Sequence, residues 1–276
     1  MQIAIGALRA RQLRVGARAG AATLALGVVA QVVAPGYASA LAIACAAAIV
    51  AFELARTRGG LERRLDELEG DVAQTQPLVE LARILPTRRA LPAMRGYAIA
   101  PDFAVVLAEL VASERPKLVV ETGSGVSTLV LAYALERLGA GGRVIALDHD
   151  PRYAARTREL VHAHGLAAYA TVVDAPLEPL IIGGERHRWY ARRAIAELVD
   201  IDLVVDDGPP RHVGPMLRYA SLPSFAPHMR AGALFVLDVV GDEERAALAR
   251  WRRELPEYVH ETSPTKKGHV VIRREA

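Results

Sequence analysis

The stretch LVVETGSGVST at residues 118–128 decides the fold. An apolar run ends in an acid, Glu121, and is followed by Gly123, Gly125 and the start of a helical pattern. Glycines at such a strand-to-helix turn let the backbone approach a ligand closely, and the first amides of the helix are hydrogen-bond donors. This arrangement predicts a site for a nucleotide-like ligand at the carboxyl end of a buried strand.

Apolar runs and helical patterns alternate on both sides of this stretch. Strands are predicted over 117–121, 143–148, 169–173, 201–207 and 233–238, and helices over 126–138, 151–164 and 242–254. Two C-terminal apolar pieces, 258–261 and 269–272, have no helix between them and predict a closing antiparallel hairpin. Strands that alternate with helices predict a doubly wound α/β domain, with a mostly parallel seven-stranded sheet.

Acids also follow the next two predicted strands. Asp148 ends the second strand and Asp174 follows the third. Because the carboxyl ends of parallel strands meet at one edge of a sheet, Asp148 is placed to accept hydrogen bonds from ribose hydroxyls and Asp174 from an adenine amino group. Each acid alone could equally be an ordinary turn or capping residue. Their joint order favours a nucleoside site.

A dinucleotide fingerprint would need a third small residue at position 128, where this sequence has Thr128. A nicotinamide-dependent oxidoreductase is therefore the weaker interpretation.

Taken together, these motifs resemble those of the class I S-adenosylmethionine-dependent methyltransferases, and among them bacterial domains distantly similar to catechol O-methyltransferases. The motifs are ETGSGVS at 121–127, LDHDP at 147–151, DAP at 174–176 and DLVVDDGPP at 202–210, and the resemblance covers about residues 91–274. It implies a Rossmann-like methyltransferase fold that binds S-adenosylmethionine. The cofactor-binding residues that it implies are Glu121, Gly123, Ser124, Gly125, Ser127, Asp148, His149, Asp174, Ala175 and Asp207.

Methyl transfer from a sulfonium depends on alignment of the acceptor and on removal of its proton. The predicted catalytic residues are Asp207, beside the methyl-transfer centre in the resemblance, and His212, in the loop where acceptors approach. His212 could also be an ordinary surface histidine. The pair Trp189-Tyr190 could wall a substrate pocket or pack beneath the sheet.

Catechol-type relatives hold a divalent metal through an acid at the fourth strand and an Asp-Asn pair after the fifth. Asp207 and Asp238 match two of these positions, but Val239 stands where the Asn would be. The resemblance therefore allows a divalent metal at Asp207 and Asp238 without supporting it.

Residues 19–52 contain no charged side chain and are interrupted by Pro35-Gly36. Two apolar arms, 15–34 and 37–55, predict a transmembrane hairpin within a membrane anchor at residues 1–58. Arginines flank both outer ends, which predicts an inner or plasma membrane location with the remaining chain facing the cytoplasm. A single span and a cleaved signal peptide are the alternatives.

A helical stalk is predicted over residues 59–85, before the methyltransferase domain at residues 86–276. Leu61, Leu65, Leu68 and Val72 recur at a 4-3-4 spacing, which predicts an amphipathic helix that Pro77 ends. This helix could form a homodimer through residues 61–72 or could be a solvated linker.

Composition excludes other classes of protein. One cysteine in 276 residues excludes a disulfide scaffold, and the formal net charge of +3 comes without a basic stripe interleaved with aromatic residues, so nucleic acid is not a predicted partner. The sequence predicts a membrane-anchored methyltransferase that acts on an oxygen or nitrogen atom of a small-molecule or lipid-linked acceptor. The alternative from another class is a non-catalytic, membrane-tethered nucleotide-binding scaffold.

Overall fold

The structure, a computed structural model, describes residues 38–94, 96–238, 241–263 and 265–274. The chain divides into two compact units, with the boundary between residues 71 and 72.

The first described element is a single long helix, α1 (Ala38–Ala73). It runs through Gly59 and Gly60, where the sequence predicted a change from anchor to stalk. Among the described residues no helix is long and apolar enough to cross a membrane, so the predicted second span over 37–55 is not supported. The apolar turns of α1 pass directly into charged turns at Glu53. The first predicted arm, 15–34, lies outside the described residues.

Pro77 does not end a helix, contrary to the prediction. α1 ends at Ala73, and Pro77 lies in the first turn of α2 (Thr75–Ile84). The reason is that first-turn residues have no intrahelical partner for their N–H, so a proline there loses no hydrogen bond.

The second unit alternates strands and helices as the sequence predicted. Its further elements are α3 (Pro101–Glu114), β1 (Leu118–Thr122), α4 (Val126–Leu138), β2 (Arg143–Asp148), α5 (Pro151–Ala163), β3 (Ala170–Asp174), β4 (Leu177–Ile182), β5 (Glu185–Tyr190), α6 (Arg192–Ile195), β6 (Ile201–Asp206), α7 (Ser221–Phe225), β7 (Met229–Asp238), α8 (Asp242–Glu254), β8 (Tyr258–Ser263) and β9 (His269–Arg274).

Seven of these strands form one sheet in the order β3-β2-β1-β6-β7-β9-β8. The first five of that order pair in parallel, while β9 pairs antiparallel to both β7 and β8. The mostly parallel sheet and the closing hairpin are therefore confirmed. The chain runs outward from β1 to β3 and returns to β6 on the other side of β1, which makes the β1–β6 boundary the switch point where α/β sheets bind ligands.

Apolar side chains cover both faces of the sheet. One face packs against α3 and α4, with Phe103 and Leu131 among the fully buried side chains. The opposite face holds Phe235 and Trp251, whose ring centroids lie 5.6 Å apart. Because the central strands are buried on both sides, their carboxyl ends are held rigidly at one edge.

The sequence missed a hairpin between β3 and β6. β4 and β5 form a separate antiparallel two-stranded sheet, and Gly183 and Gly184 join them with φ values of +58° and +81°. Two central residues with positive φ are typical of a tight hairpin turn. Trp189 and Tyr190 at the end of β5 are 0% and 2% exposed, so of the two interpretations of this pair, packing in the core is confirmed.

Candidate active site

Glu121 is buried near the carboxyl end of β1, at the switch point of the sheet. Its Oε2 atom accepts a hydrogen bond from Thr128 Oγ1 at 2.6 Å, while Oε1 has no hydrogen-bond partner among the described residues. Burial raises the pKa of Glu121 to about 7 against the opposing effect of the Ser127 and Thr128 hydroxyls, and the Asp148 carboxylate adds a smaller upward effect. A buried carboxylate with an unsatisfied oxygen is suited to bind a cation or a hydrogen-bond donor.

The turn from β1 into α4 wraps around this carboxylate. Gly123 has a φ of +86°, which residues with a Cβ atom rarely adopt. Its N–H donates to Leu147 O at 2.8 Å. Thr128 Oγ1 accepts a hydrogen bond from Gly125 N–H at 3.0 Å and donates to Glu121. The residue that departs from the dinucleotide fingerprint therefore braces the turn.

Asp148 ends β2 and is 4% exposed. Its Oδ2 accepts a hydrogen bond from Ser124 Oγ, and its Oδ1 accepts one from Asp150 N–H at 3.0 Å. His149 Nδ1 lies 3.8 Å from Asp148 Oδ1. A carboxylate offers about four acceptor positions, so Asp148 retains capacity for ribose hydroxyls.

Asp174 and Ala175 follow the next strand end. Asp174 pairs in register with Asp148, but its side chain is exposed and forms an ion pair with Arg158 at 2.7 Å. Ala175 is fully buried, and its N–H donates to Asp148 O at 2.8 Å. The structure thus places Ala175 at the predicted nucleoside edge, and the adenine contact of Asp174 stays a prediction.

Two acids at the end of β6 have different surroundings. Asp206 is fully buried and accepts a hydrogen bond from Thr122 Oγ1 at 2.6 Å, and burial raises its pKa to about 6. The side chain of Asp207 is 14% exposed. Burial and the neighbouring Asp238 carboxylate raise the pKa of Asp207 well above its usual range, and Glu121 contributes to the rise. Asp206 therefore links the ends of β1 and β6 through its hydrogen bond from Thr122. Asp207 interacts instead with the charges of Asp238 and Glu121.

A buried arginine supplies positive charge beside these acids. Arg218 Nη1 donates to Asp206 O at 2.9 Å and to Asp238 O at 2.8 Å, and its Nη2 lies 3.9 Å from Asp207 Oδ1. The guanidinium thus joins the ends of β6 and β7 and faces the two acids considered for a metal. In the part of the chain that the structure describes, no group of three or more His, Cys, Asp or Glu side chains is arranged to hold a metal ion. The metal site at Asp207 and Asp238 therefore remains unsupported.

Three loops contribute what we call the rim cluster, defined as Tyr97, His212 and Lys267. Tyr97 is 75% exposed, and its ring centroid lies 5.9 Å from that of His212 in the loop after β6. Lys267, between β8 and β9, donates from Nζ to Ala98 O at 2.7 Å and lowers the pKa of Asp207 against the larger upward effects. The rim cluster therefore lies at the same sheet edge as the predicted catalytic Asp207.

The missed hairpin also contributes Tyr190 to the site. A Cβ atom on Gly208 would lie 2.7 Å from Tyr190 Oη and 3.0 Å from Gly123 N. The phenol of Tyr190 and the turn between β1 and α4 therefore both pack against Gly208. Burial raises the pKa of Tyr190 well above its usual range. The ring also contacts His149 edge-on, with 6.4 Å between centroids. The turn after β6 is thus packed between Tyr190 of β5 and the turn between β1 and α4.

The sheet order and the strand-end acids now allow comparison with known proteins. Residues 120–239 match a family model described as a methyltransferase domain. This methyltransferase-like segment contains the buried carboxylate, the glycine turn and all the predicted cofactor-binding and catalytic residues. No curated protein matches the sequence significantly.

Solved structures share the fold at low sequence identity. The O-methyltransferase from Bacillus cereus, in complex with SAH, is 17% identical with a TM-score of 0.50, and the match covers 72% of this chain and 91% of that one. An SAH-bound methyltransferase from Podospora anserina is 15% identical with a TM-score of 0.53, covering 78% and 97%. An O-methyltransferase of tomaymycin synthesis from Streptomyces achromogenes, in complex with SAM, is 15% identical with a TM-score of 0.50, covering 74% and 90%.

Sequence reasoning considered Tyr190 as a possible pocket wall but assigned no role to three other residues of this site: Tyr97, Arg218 and Lys267. Tyr97 and Lys267 lie within the range of the resemblance, but the strand-to-helix motifs give neither a role, and all three residues reach the edge from outside those turns. The one available signal was composition, since the sequence has only three lysines and two of them, Lys266 and Lys267, are adjacent.

Glu121→Gln is expected to stabilise the chain at pH 8. The folded pKa of about 7 lies above the ordinary value of 4.5, so the folded state loses stability as the pH rises through this window. The expected gain in the free energy of unfolding is at most about 3 kcal/mol at pH 8 and close to zero at pH 4. Urea unfolding at both pH values measures it, with the exposed Glu109→Gln as control. An equal gain at pH 4 would contradict the buried-charge argument.

Gly208→Ala is expected to lower the free energy of unfolding by about 1–3 kcal/mol, because its Cβ atom would crowd Tyr190 Oη and Gly123 N. Adding Tyr190→Phe should recover part of the loss by removing the hydroxyl. Gly214→Ala is the matched control, since a Cβ there meets only ordinary contacts with Leu217 at 3.6 Å or more. Denaturant midpoints compare these three variants with the wild type, and a loss in Gly208→Ala equal to that in Gly214→Ala would refute the packing argument.

Proposed function

We propose that the chain is an S-adenosylmethionine-dependent methyltransferase that acts on an oxygen atom of a small-molecule acceptor. The observation that carries the proposal is the buried Glu121, whose Oε1 has no partner among the described residues, between the glycine turn and Asp148 at the switch point. The family-model match over residues 120–239 supports methyl transfer. The names of the similar structures, two of them O-methyltransferases, support an oxygen acceptor.

The residues present fit the proposed cofactor. Glu121 Oε1 can accept a hydrogen bond from an ammonium group, and the turn around Gly123 and Gly125 brings backbone close to a ligand. Asp148 has free acceptor positions for ribose hydroxyls, and the buried Ala175 provides an apolar surface beside it. S-adenosylmethionine, when bound, supplies an electrophilic methyl group on a sulfonium.

The chain's own residues must orient the acceptor and take its proton. Asp207 is suited to remove the proton of the acceptor, because its raised pKa makes it a stronger base than an ordinary carboxylate. The Lys267 ammonium would favour the deprotonated form of an acceptor oxygen nearby. Tyr97 and His212 offer ring surfaces against which an acceptor can be aligned.

A lipid-linked acceptor and a location at the cytoplasmic face of a membrane stay predictions of the sequence. Both depend on the apolar arm over 15–34, which lies outside the described residues. The experiments below would also detect the two alternative functions, a non-catalytic scaffold and a nicotinamide-dependent oxidoreductase.

Cofactor binding should depend on Asp148 and on the ionised form of Glu121. Calorimetry with S-adenosylmethionine is expected to show affinity that rises from pH 6 to pH 8, because the Glu121 carboxylate ionises near pH 7. Asp148→Asn and Glu121→Gln should each weaken binding by about tenfold or more, and Glu121→Gln should remove the pH dependence.

Glu109→Gln is the control for this measurement, because Glu109 is exposed on α3 and is not among the predicted cofactor-binding residues. Wild-type affinity in Asp148→Asn would overturn the site assignment. Tight binding of NAD in place of S-adenosylmethionine would instead favour an oxidoreductase.

Lys267→Met should lower kcat by about tenfold or more while leaving S-adenosylmethionine affinity unchanged, since the lysine is assigned to the acceptor side. The readout is formation of S-adenosylhomocysteine with a panel of phenols, alcohols, carboxylic acids and amines, with Lys266→Met as the charge-matched control. Equal effects of the two variants would refute the role of Lys267. Cofactor binding without turnover on any of these acceptors or on membrane extract would favour the scaffold.

A further inference from the structure

The proposed methyl transfer does not use the leucine stripe on α1. Leu61, Leu65 and Leu68 are 58%, 50% and 60% exposed, and Leu54, about two turns before Leu61, is 65% exposed. Single exposed leucines are common on protein surfaces, but leucines that recur every three and four residues on one helix form a continuous apolar seam. Such a seam is stable in water when a second helix covers it.

We propose that a second copy of this chain covers the seam, and that the two α1 helices form a parallel, in-register coiled coil. The spacing places Leu61 and Leu68 at heptad positions d and Leu65 at position a, and Val72, itself 71% exposed, is the next position a along the sequence. A leucine-rich seam of this period matches the geometry in which each side chain inserts between four residues of the partner helix.

The charged residues beside the seam favour a parallel over an antiparallel arrangement of the two copies. Arg64 occupies position g and Glu69 occupies the following position e. In a parallel coil, position g of one helix faces position e of the next heptad of its partner. Arg64 then faces the partner's Glu69, and the twofold symmetry of the dimer creates this attractive pair twice.

The antiparallel arrangement is less favourable for the same residues. There, position g faces position g and position e faces position e, so Arg64 would face the partner's Asp71 while Glu62 would face the partner's Glu69. Each attractive contact is thus offset by a contact between like charges. In the single chain, Glu62 already accepts a hydrogen bond from Arg58 Nε at 2.8 Å within α1, so a parallel coil leaves that pair undisturbed.

Charge reversal in the full chain tests the pairing. Arg64→Glu is expected to raise the dimer dissociation constant by about 3- to 10-fold, because two exposed attractive pairs become repulsive. Adding Glu69→Arg should return the constant close to the wild-type value, since the pairs are restored with reversed sign. Arg63→Glu is the matched control, because it makes the same charge change at position f, on the side of α1 away from the seam. Sedimentation equilibrium over a range of concentrations measures all four chains.

Disulfide trapping tests the orientation. In a Cys45→Ser background, Leu61→Cys should form a cross-linked dimer under mild oxidation, since position 61 faces its own copy in a parallel coil. In an antiparallel coil the two copies of position 61 would lie about 16 Å apart along the axis, at about 1.5 Å per residue, which a disulfide cannot span. Arg63→Cys should cross-link poorly and is the control.

Three results would overturn the proposal. A chain that stays monomeric at all concentrations would show that the seam has no second copy. A dimer that survives Leu65→Asp combined with Leu68→Asp would use another surface. Equal cross-linking by Leu61→Cys and Arg63→Cys, or no rescue by the double charge reversal, would exclude the parallel register.

Discussion

The burial of carboxylates at the ends of β1 and β6 is the constraint on which the rest of the site depends. Glu121 and Asp206 lie on adjacent parallel strands and are fully buried. Each receives a hydroxyl hydrogen bond, from Thr128 and from Thr122, and Arg218 brings a positive charge to the same edge. Because unpaired buried charge is costly, these polar partners must stay in place for the edge to keep its shape. The rigid sheet and the braced turns therefore follow from the same requirement.

Much of this edge could be predicted from the sequence because its signals are local. The helices Val126–Leu138 and Asp242–Glu254 were predicted with the bounds that the structure gives, since each lies between a strand and clear turn residues. The strand-end positions of Glu121 and Asp148 followed from apolar runs that stop at an acid. The match over residues 120–239 to a methyltransferase domain is consistent with the resemblance of these motifs.

The remainder depends on contacts that no local pattern encodes. Arg218 reaches the ends of two strands from a short turn, and Lys267 reaches Ala98 across 169 positions of sequence. The β4–β5 hairpin had a local signal in Gly183-Gly184, but the basic residues between apolar ones obscured its alternation. In α1 the opposite error occurred, because two adjacent glycines predicted a boundary where the helix continues. Glycine in a helix costs about 1 kcal/mol, which a long helix can absorb.

The raised pKa values connect the stability of the domain to its proposed function. Burial raises the pKa of Glu121 to about 7, so ionising this carboxyl near neutral pH carries the cost of a buried charge. A cationic ligand that binds the ionised form would relieve that cost and lower the pKa towards its ordinary value. Binding of a cation would then add the relief of this cost to the free energy of the contacts themselves. An apolar residue at position 121 would avoid the cost but could not bind a cation. If the proposed function is correct, the cost of the buried Glu121 charge thus favours a cationic ligand over a neutral one.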